Sequence, residues 1–174
     1  MKIFISWSGD LSYRAALALR DWIPVVLPFA RVWISSEDIR KGRRWGAELA
    51  AELDTTNCGI VCLVPTNIEE PWLNFEAGAL SKAVDHAQVH PFLLGMRPGD
   101  LVGPLAQFQA TEFAPDDLKK LIGSINAIAG GEALEPETIE RNFQMSWADL
   151  AQHLTPIAAE ASVERAAAWR GSAR

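Results

Sequence analysis

Glu76 is the residue of this chain whose type and surroundings most invite chemistry. It stands in the stretch 71–82, PWLNFEAGALSK, where apolar and small residues fill nearly every other position. Proline suits the first position of a helix because its missing N–H would have had no partner there, so a helix is expected to begin at Pro71. An ionised carboxylate on such a largely buried surface is costly. It must be paired, raised in pKa or put to use. Trp72 precedes Glu76 by four residues, which sets an indole face beside the carboxylate on one helix surface. A core helix with one snorkelling glutamate fits this stretch equally well, so the surrounding elements have to decide.

Other reactive side chains offer less. Cys58 and Cys62 share one expected strand, where four residues separate them by roughly 13 Å, too far for a disulfide. Two thiolates alone do not make a zinc site, and both cysteines read as core residues. His86 and His90 have the spacing of a helical metal pair, but a change from helix to strand is expected between them and no acidic motif accompanies them. No metal is expected.

The elements that must position Glu76 alternate. Residues 2–7 (KIFISW) form a short apolar run bounded by Ser8, Gly9 and Asp10, a buried strand feeding a polar turn. A helical pattern follows from Ser12 until Pro24 and Pro28 close it, then a second strand at 30–34 (ARVWI). The polar loop 35–44 (SSEDIRKGRR) leads to a helix at 45–53. Residues 58–64 (CGIVCLV) are the most continuous strand-type run, the pattern of a parallel strand covered on both faces. After Pro65-Thr66-Asn67 and the Glu76 helix come a strand at 89–94, a loop at 95–100, a helical turn at 103–108, an edge strand at 109–113 and a helix at 116–128. Strand and helix in alternation predict a doubly wound five-strand parallel sheet of the α/β class, with sites at the carboxyl ends of the strands. Beyond Gly130 and Gly131 the pattern is helical, roughly 137–143 and 146–169, with Leu150, Leu154 and Ile157 placed to pack back and an Ala-rich tail from 158. The expected division is a domain at 1–130 and a helical extension or connector at 131–174.

Four features now fall at the ends of successive strands: the segment 4–10 (FISWSGD), the segment from Trp33 to Trp45, Pro65-Thr66-Asn67, and the W-x-x-x-E motif of Trp72 and Glu76. Together, over residues 1–128, they resemble the Toll/interleukin-1 receptor (TIR) domain family in its bacterial branch. The resemblance implies a flavodoxin-like sheet. It also implies cleavage of NAD+, with Glu76 as the catalytic residue. Two departures stand out: Pro71 precedes the motif tryptophan where vertebrate-type members usually carry serine, and Trp7 follows Ser6 where Tyr or Phe is common. Neither removes the carboxylate.

One carboxylate suffices for that reaction. Glycoside hydrolysis ordinarily needs a second carboxyl group to protonate the leaving group, whereas nicotinamide is attached as a cationic pyridinium and leaves neutral. A single anion near the ribose then supplies the stabilisation that counts. On the resemblance, Trp72 orients Glu76, Trp33 or Trp45 stacks on a flat ring, Arg43 or Arg44 meets the pyrophosphate, and Ser6, Trp7, Ser8 and Ser35 complete the substrate-binding edge. Each has a plainer explanation beside it: Trp33 and Trp45 also suit packing, Ser6 and Ser8 also suit turn capping, and the basic residues also suit a solvated face.

Composition bounds the partners. A chain of 174 residues with 49% hydrophobic and 22% charged residues has the make-up of one ordinary soluble domain. The net charge of −6 argues against general affinity for nucleic acid or anionic membrane. No apolar run approaches a membrane span, and the first residues are too short in apolar length for a signal peptide, so the chain is read as cytoplasmic. NAD+ is expected as substrate, with no cofactor. The resemblance further implies head-to-tail assembly with other TIR copies through the loop 35–44, ending in filaments, and an antiphage-defence effector that awaits a sensor domain or protein. Two other functions share these features: a non-catalytic TIR adaptor, and a nucleoside deoxyribosyltransferase-like enzyme, which also sets a carboxylate at a ribosyl carbon.

Overall fold

A computed structural model describes residues 1–34, 56–68 and 88–172. Five strands, β1 (Lys2–Ser6), β2 (Arg31–Ile34), β3 (Cys58–Leu63), β4 (Gln88–Leu93) and β5 (Thr111–Glu112), pair in parallel in the order β2-β1-β3-β4-β5. This is the flavodoxin-like order. The chain turns to one side after β1 and to the other from β3 onward, so the topological switch lies between these two strands, where Ser6 is in register with Val61.

Strand alternation sorts the apolar run of β1 onto two faces. Ile3 and Ile5 enter a large cluster with the helices, whereas Phe4 enters a smaller one with Val61, Leu63, Val89, Leu93, Met96, Leu101 and Leu105. All six residues of β3 are buried, as expected for a central strand. Pro91 interrupts β4 without breaking the sheet. Gln88 N–H donates to Asn57 and Leu94 N–H to Leu63, so even-numbered positions of β4 face β3 and Pro91 faces outward. β5 reaches only Phe92 and Leu93, so the missing N–H falls on the open side where proline is tolerated.

Helix α1 (Asp10–Val26) runs through Pro24 and ends between the two prolines expected to close it. Pro24 has no N–H to give the Arg20 carbonyl, and the helix stops within two residues of that gap. Helix α2 (Pro115–Ala127) buries Leu118, Leu121, Ile122 and Ile125. The extension is one continuous helix, α3 (Pro136–Ser172), where two were expected. Gln144 and Met145, between the two expected segments, are good helix formers and bridge them.

α3 lies antiparallel to α1. Asn142 Nδ2 donates to Val26 O at 3.0 Å, Trp22 Nε1 to Ser146 Oγ at 2.9 Å, and Arg14 to Glu160 at 2.7 and 2.9 Å. Phe143 meets Trp22 edge-on and stacks on Trp147, each with centroids 5.5 Å apart. Leu150, Leu154 and Ile157 pack back into the α1 cluster as the spacing predicted, and Ala161 is fully buried with them. No helix among the described residues is long and apolar enough to cross a membrane.

Candidate functional site at the carboxyl edge of the sheet

Where β1 ends, its alternation sends two expected site residues in opposite directions. Ser6 continues the Phe4 face, and its side chain is fully buried, its hydroxyl without a hydrogen-bond partner among the described residues. Leaving such a group unsatisfied costs about 1–3 kcal/mol. Trp7 continues the face of Ile3 and Ile5, packing 4.4 Å from Tyr13 inside the α1 cluster. Trp33, in register with Phe4 on the edge strand β2, lies on the Ser6 face and is 39% exposed. Lys2 Nζ sits 5.0 Å from its ring centroid, a cation–π contact along the same face.

The turn after β1 is built around the backbone of Ser8. Its N–H donates to Ser12 Oγ at 2.8 Å, the Ser12 hydroxyl donates to the carbonyl of Ser8, and Asn67 Nδ2 donates to that carbonyl at 3.0 Å. Gly9, at φ 83°, makes the sharp entry into α1 that a side chain would strain. Asn67 is spent completely: it also donates to Cys62 O at 3.2 Å and accepts from Val64 N–H at 2.9 Å. The loop after β3 is thereby fastened to the turn after β1, across the switch point. Ser12 did not stand out in the sequence as a site former, and Asn67 did so only as part of the strand end Pro65-Thr66-Asn67. An asparagine just past a strand suggests a local turn, but nothing in its spacing points to Ser8, 59 residues away.

The loop after β4 closes the same edge. Gly95 has φ 68°, and Asp100 Oδ2 accepts from Arg97 N–H at 2.7 Å. Met96 and Leu101 join Phe4 in the smaller cluster, below Ser6.

Glu76, Trp72, Ser35, Arg43, Arg44 and Trp45 lie outside the described residues, as does His86. Of the expected site, the structure brings together Ser6 and Trp33 on one face and Ser8 in the adjoining turn, while Trp7 supports the turn from the other side. His90 is distant, its ring nitrogen 3.2 Å from Gln88 Oε1 near the start of β4, and burial lowers its pKa. Cys58 and Cys62 are buried and free; burial alone pushes the Cys58 thiol up to about 12 and raises Cys62 as well. Both are inert at neutral pH. Among the described residues no three His, Cys, Asp or Glu side chains cluster to hold a metal. Among the described residues, a cavity of about 390 Å³ between the start of β4 and α2 and another of about 600 Å³ between α1 and α3 lie away from this edge.

A family model described as a TIR domain matches residues 3–122. No curated protein matches the chain.

Proposed function

Because the chain belongs to the TIR domain family, we propose that it is an NAD+ glycohydrolase whose substrate lies across the carboxyl ends of β1 and β3. The observation that carries this reading is the hydroxyl of Ser6, unbonded among the described residues, fully buried at the topological switch point and on the same face as the half-exposed ring of Trp33. A polyhydroxylated ligand with a flat ring suits that pair: one oxygen accepts from Ser6 and one ring stacks on Trp33. Glu76 supplies the anion. Its carboxylate holds the ribose hydroxyls and counters positive charge at the anomeric carbon as the C–N bond breaks and neutral nicotinamide departs with the bond's electron pair. Water then yields ADP-ribose, or an adenine nitrogen yields a cyclic isomer. Trp72 orients the carboxylate, and Arg43 or Arg44 meets the pyrophosphate.

Activity in this reading depends on assembly, with the loop 35–44 of one copy completing the site of the next in an open, head-to-tail filament. A cytoplasmic antiphage-defence effector joined to a sensor is the setting that fits such control. The test is direct. Concentrated protein is expected to release nicotinamide from NAD+, Glu76→Gln to stop release while leaving the melting curve unchanged, and dilution to lower the rate per molecule. Intact NAD+ after incubation of an assembled sample would sink the proposal, and turnover by Glu76→Gln would remove Glu76 from it.

A further inference from the structure

α3 does more than cover α1, because the turns from Ala161 to Arg165 touch the site edge itself. At Gly95 a Cβ would lie 2.6 Å from Ala161 Cβ and 2.9 Å from the Ala161 and Ser162 backbone. No side chain fits there, so helix and loop meet backbone to backbone. One turn farther on, Arg165 Nη2 donates to Asp100 Oδ1 at 2.8 Å, while the other oxygen of the same carboxylate holds Arg97 N–H at the opposite side of the loop. The loop between these two attachments carries Met96, and Leu101 follows it; both pack beside Phe4 on the face that carries Ser6 and Trp33. On the other side of the sheet, Leu94 shares the large cluster with Ile157 and Ala161. The segment 94–101 therefore passes over the sheet's carboxyl edge from the α3 side to the site side, held at both ends.

We propose that α3 is the lever that sets the position of the β4 loop, so that whatever acts on the carboxyl-terminal turns of this helix adjusts the site at the sheet edge. The physical basis is a contiguous chain of contacts: Arg165 to Asp100, Ala161 to Gly95, then Met96 and Leu101 to Phe4, which neighbours Ser6 along β1 and Trp33 across the sheet. The close backbone approach leaves no slack at Gly95, so displacement of the helix has to be taken up by the loop. The effect on catalysis rests on the NAD+ reading above; the effect on the loop does not.

Amide hydrogen exchange on the full chain tests the two separately. Arg165→Asp, at an exposed position, is expected to speed exchange across 95–101 about two- to fivefold, the yield of one surface charge pair. Arg165→Lys, which keeps the charge facing Asp100 and leaves the Arg97 N–H bond in place, is expected to keep most of the protection. Ala161→Leu, which pries the helix from Gly95, is expected to give the larger effect, and Arg165→Asp keeps the test intact should that variant fold poorly. Nicotinamide release measured on the same proteins is expected to shift with loop exchange and to stay near the parent value in Arg165→Lys. Unchanged loop exchange in Arg165→Asp overturns the proposal. So does a change in exchange with no change in turnover by an active enzyme. Absence of turnover in the parent chain, with loop exchange still responding, would instead reject the NAD+ reading and leave the lever standing.

Discussion

A single hydroxyl separates the structural and functional explanations of the sheet edge. If Ser6 only capped the turn, its oxygen would be bonded there, yet the turn is capped by Ser12 and Asn67 through Ser8, and the Ser6 oxygen has no hydrogen bond among the described residues. Removing a buried, unbonded hydroxyl relieves a desolvation cost of about 1–3 kcal/mol, offset in part by the small space left behind. Ser6→Ala is therefore expected to melt at the same temperature as the parent or a few degrees above it. The KM for NAD+ is expected to rise about three- to tenfold, the worth of one neutral hydrogen bond to a ligand. A calorimetric scan and initial rates check both halves. A variant that melts lower with unchanged KM would make Ser6 a packing residue. The same scale explains what the sequence concealed. Ser6 was legible as a strand-end polar residue, and the alternation that carries Trp7 to the opposite face could be counted; the tie from Asn67 to Ser8 depends on how two distant loops meet in space.

Elements differ in how far local pattern decides them. The central strands were legible almost to the residue because continuous apolar runs bounded by Ser8-Gly9-Asp10 and Pro65-Thr66-Asn67 have few other uses. The short β5 was expected over 109–113 and pairs only at Thr111 and Glu112, since β4 ends at Leu93 on one side and Pro91 has no N–H to offer on the other. The junction from β5 to α2 is secured by a charge. Asp117 accepts from Glu112 N–H at 3.2 Å and from Lys120 Nζ at 3.1 Å, and the backbone bond first and Lys120 second hold its pKa below the ordinary 3.8. A carboxylate depressed in the folded state contributes stability above its unfolded pKa and loses it as the pH falls through the folded value. Asp117→Asn keeps an oxygen for the Glu112 N–H and removes only the charge. The variant is thus expected to melt below the parent at neutral pH, the gap narrowing once the pH drops past about 4 and closing in stronger acid. Thermal melts of both proteins between neutral and acid pH check this; a gap independent of pH would assign the effect to geometry rather than charge.

At the scale of the whole molecule, the family match and the physical unit have different limits. The match ends at residue 122, and the change in sequence character after Gly130 and Gly131 suggested a domain of 130 residues followed by a connector. The packing makes α3 part of what holds α1 to the sheet. Phe143, Leu150, Leu154 and Ile157 are buried in the cluster of Ile5, Leu19 and Trp22. Burying each stabilises the fold by about 1.5–3 kcal/mol, so the four together contribute roughly 6–12 kcal/mol, comparable to the entire stability of a domain at about 5–15 kcal/mol. The Trp22 indole would also lose its bond to Ser146 Oγ. A chain ending at residue 130 is consequently expected to lose cooperative unfolding and to expose the α1 face, with dye binding and aggregation in place of a sharp melt. A chain ending at residue 166 keeps every buried residue of α3 that the structure describes and is expected to melt cooperatively. If the shorter chain unfolds sharply near the temperature of the longer one, α3 is a connector resting on a domain that is complete without it. If it does not, the helix is structural as far as Ala161 and acts as the lever from there on, where it meets the loop over the site.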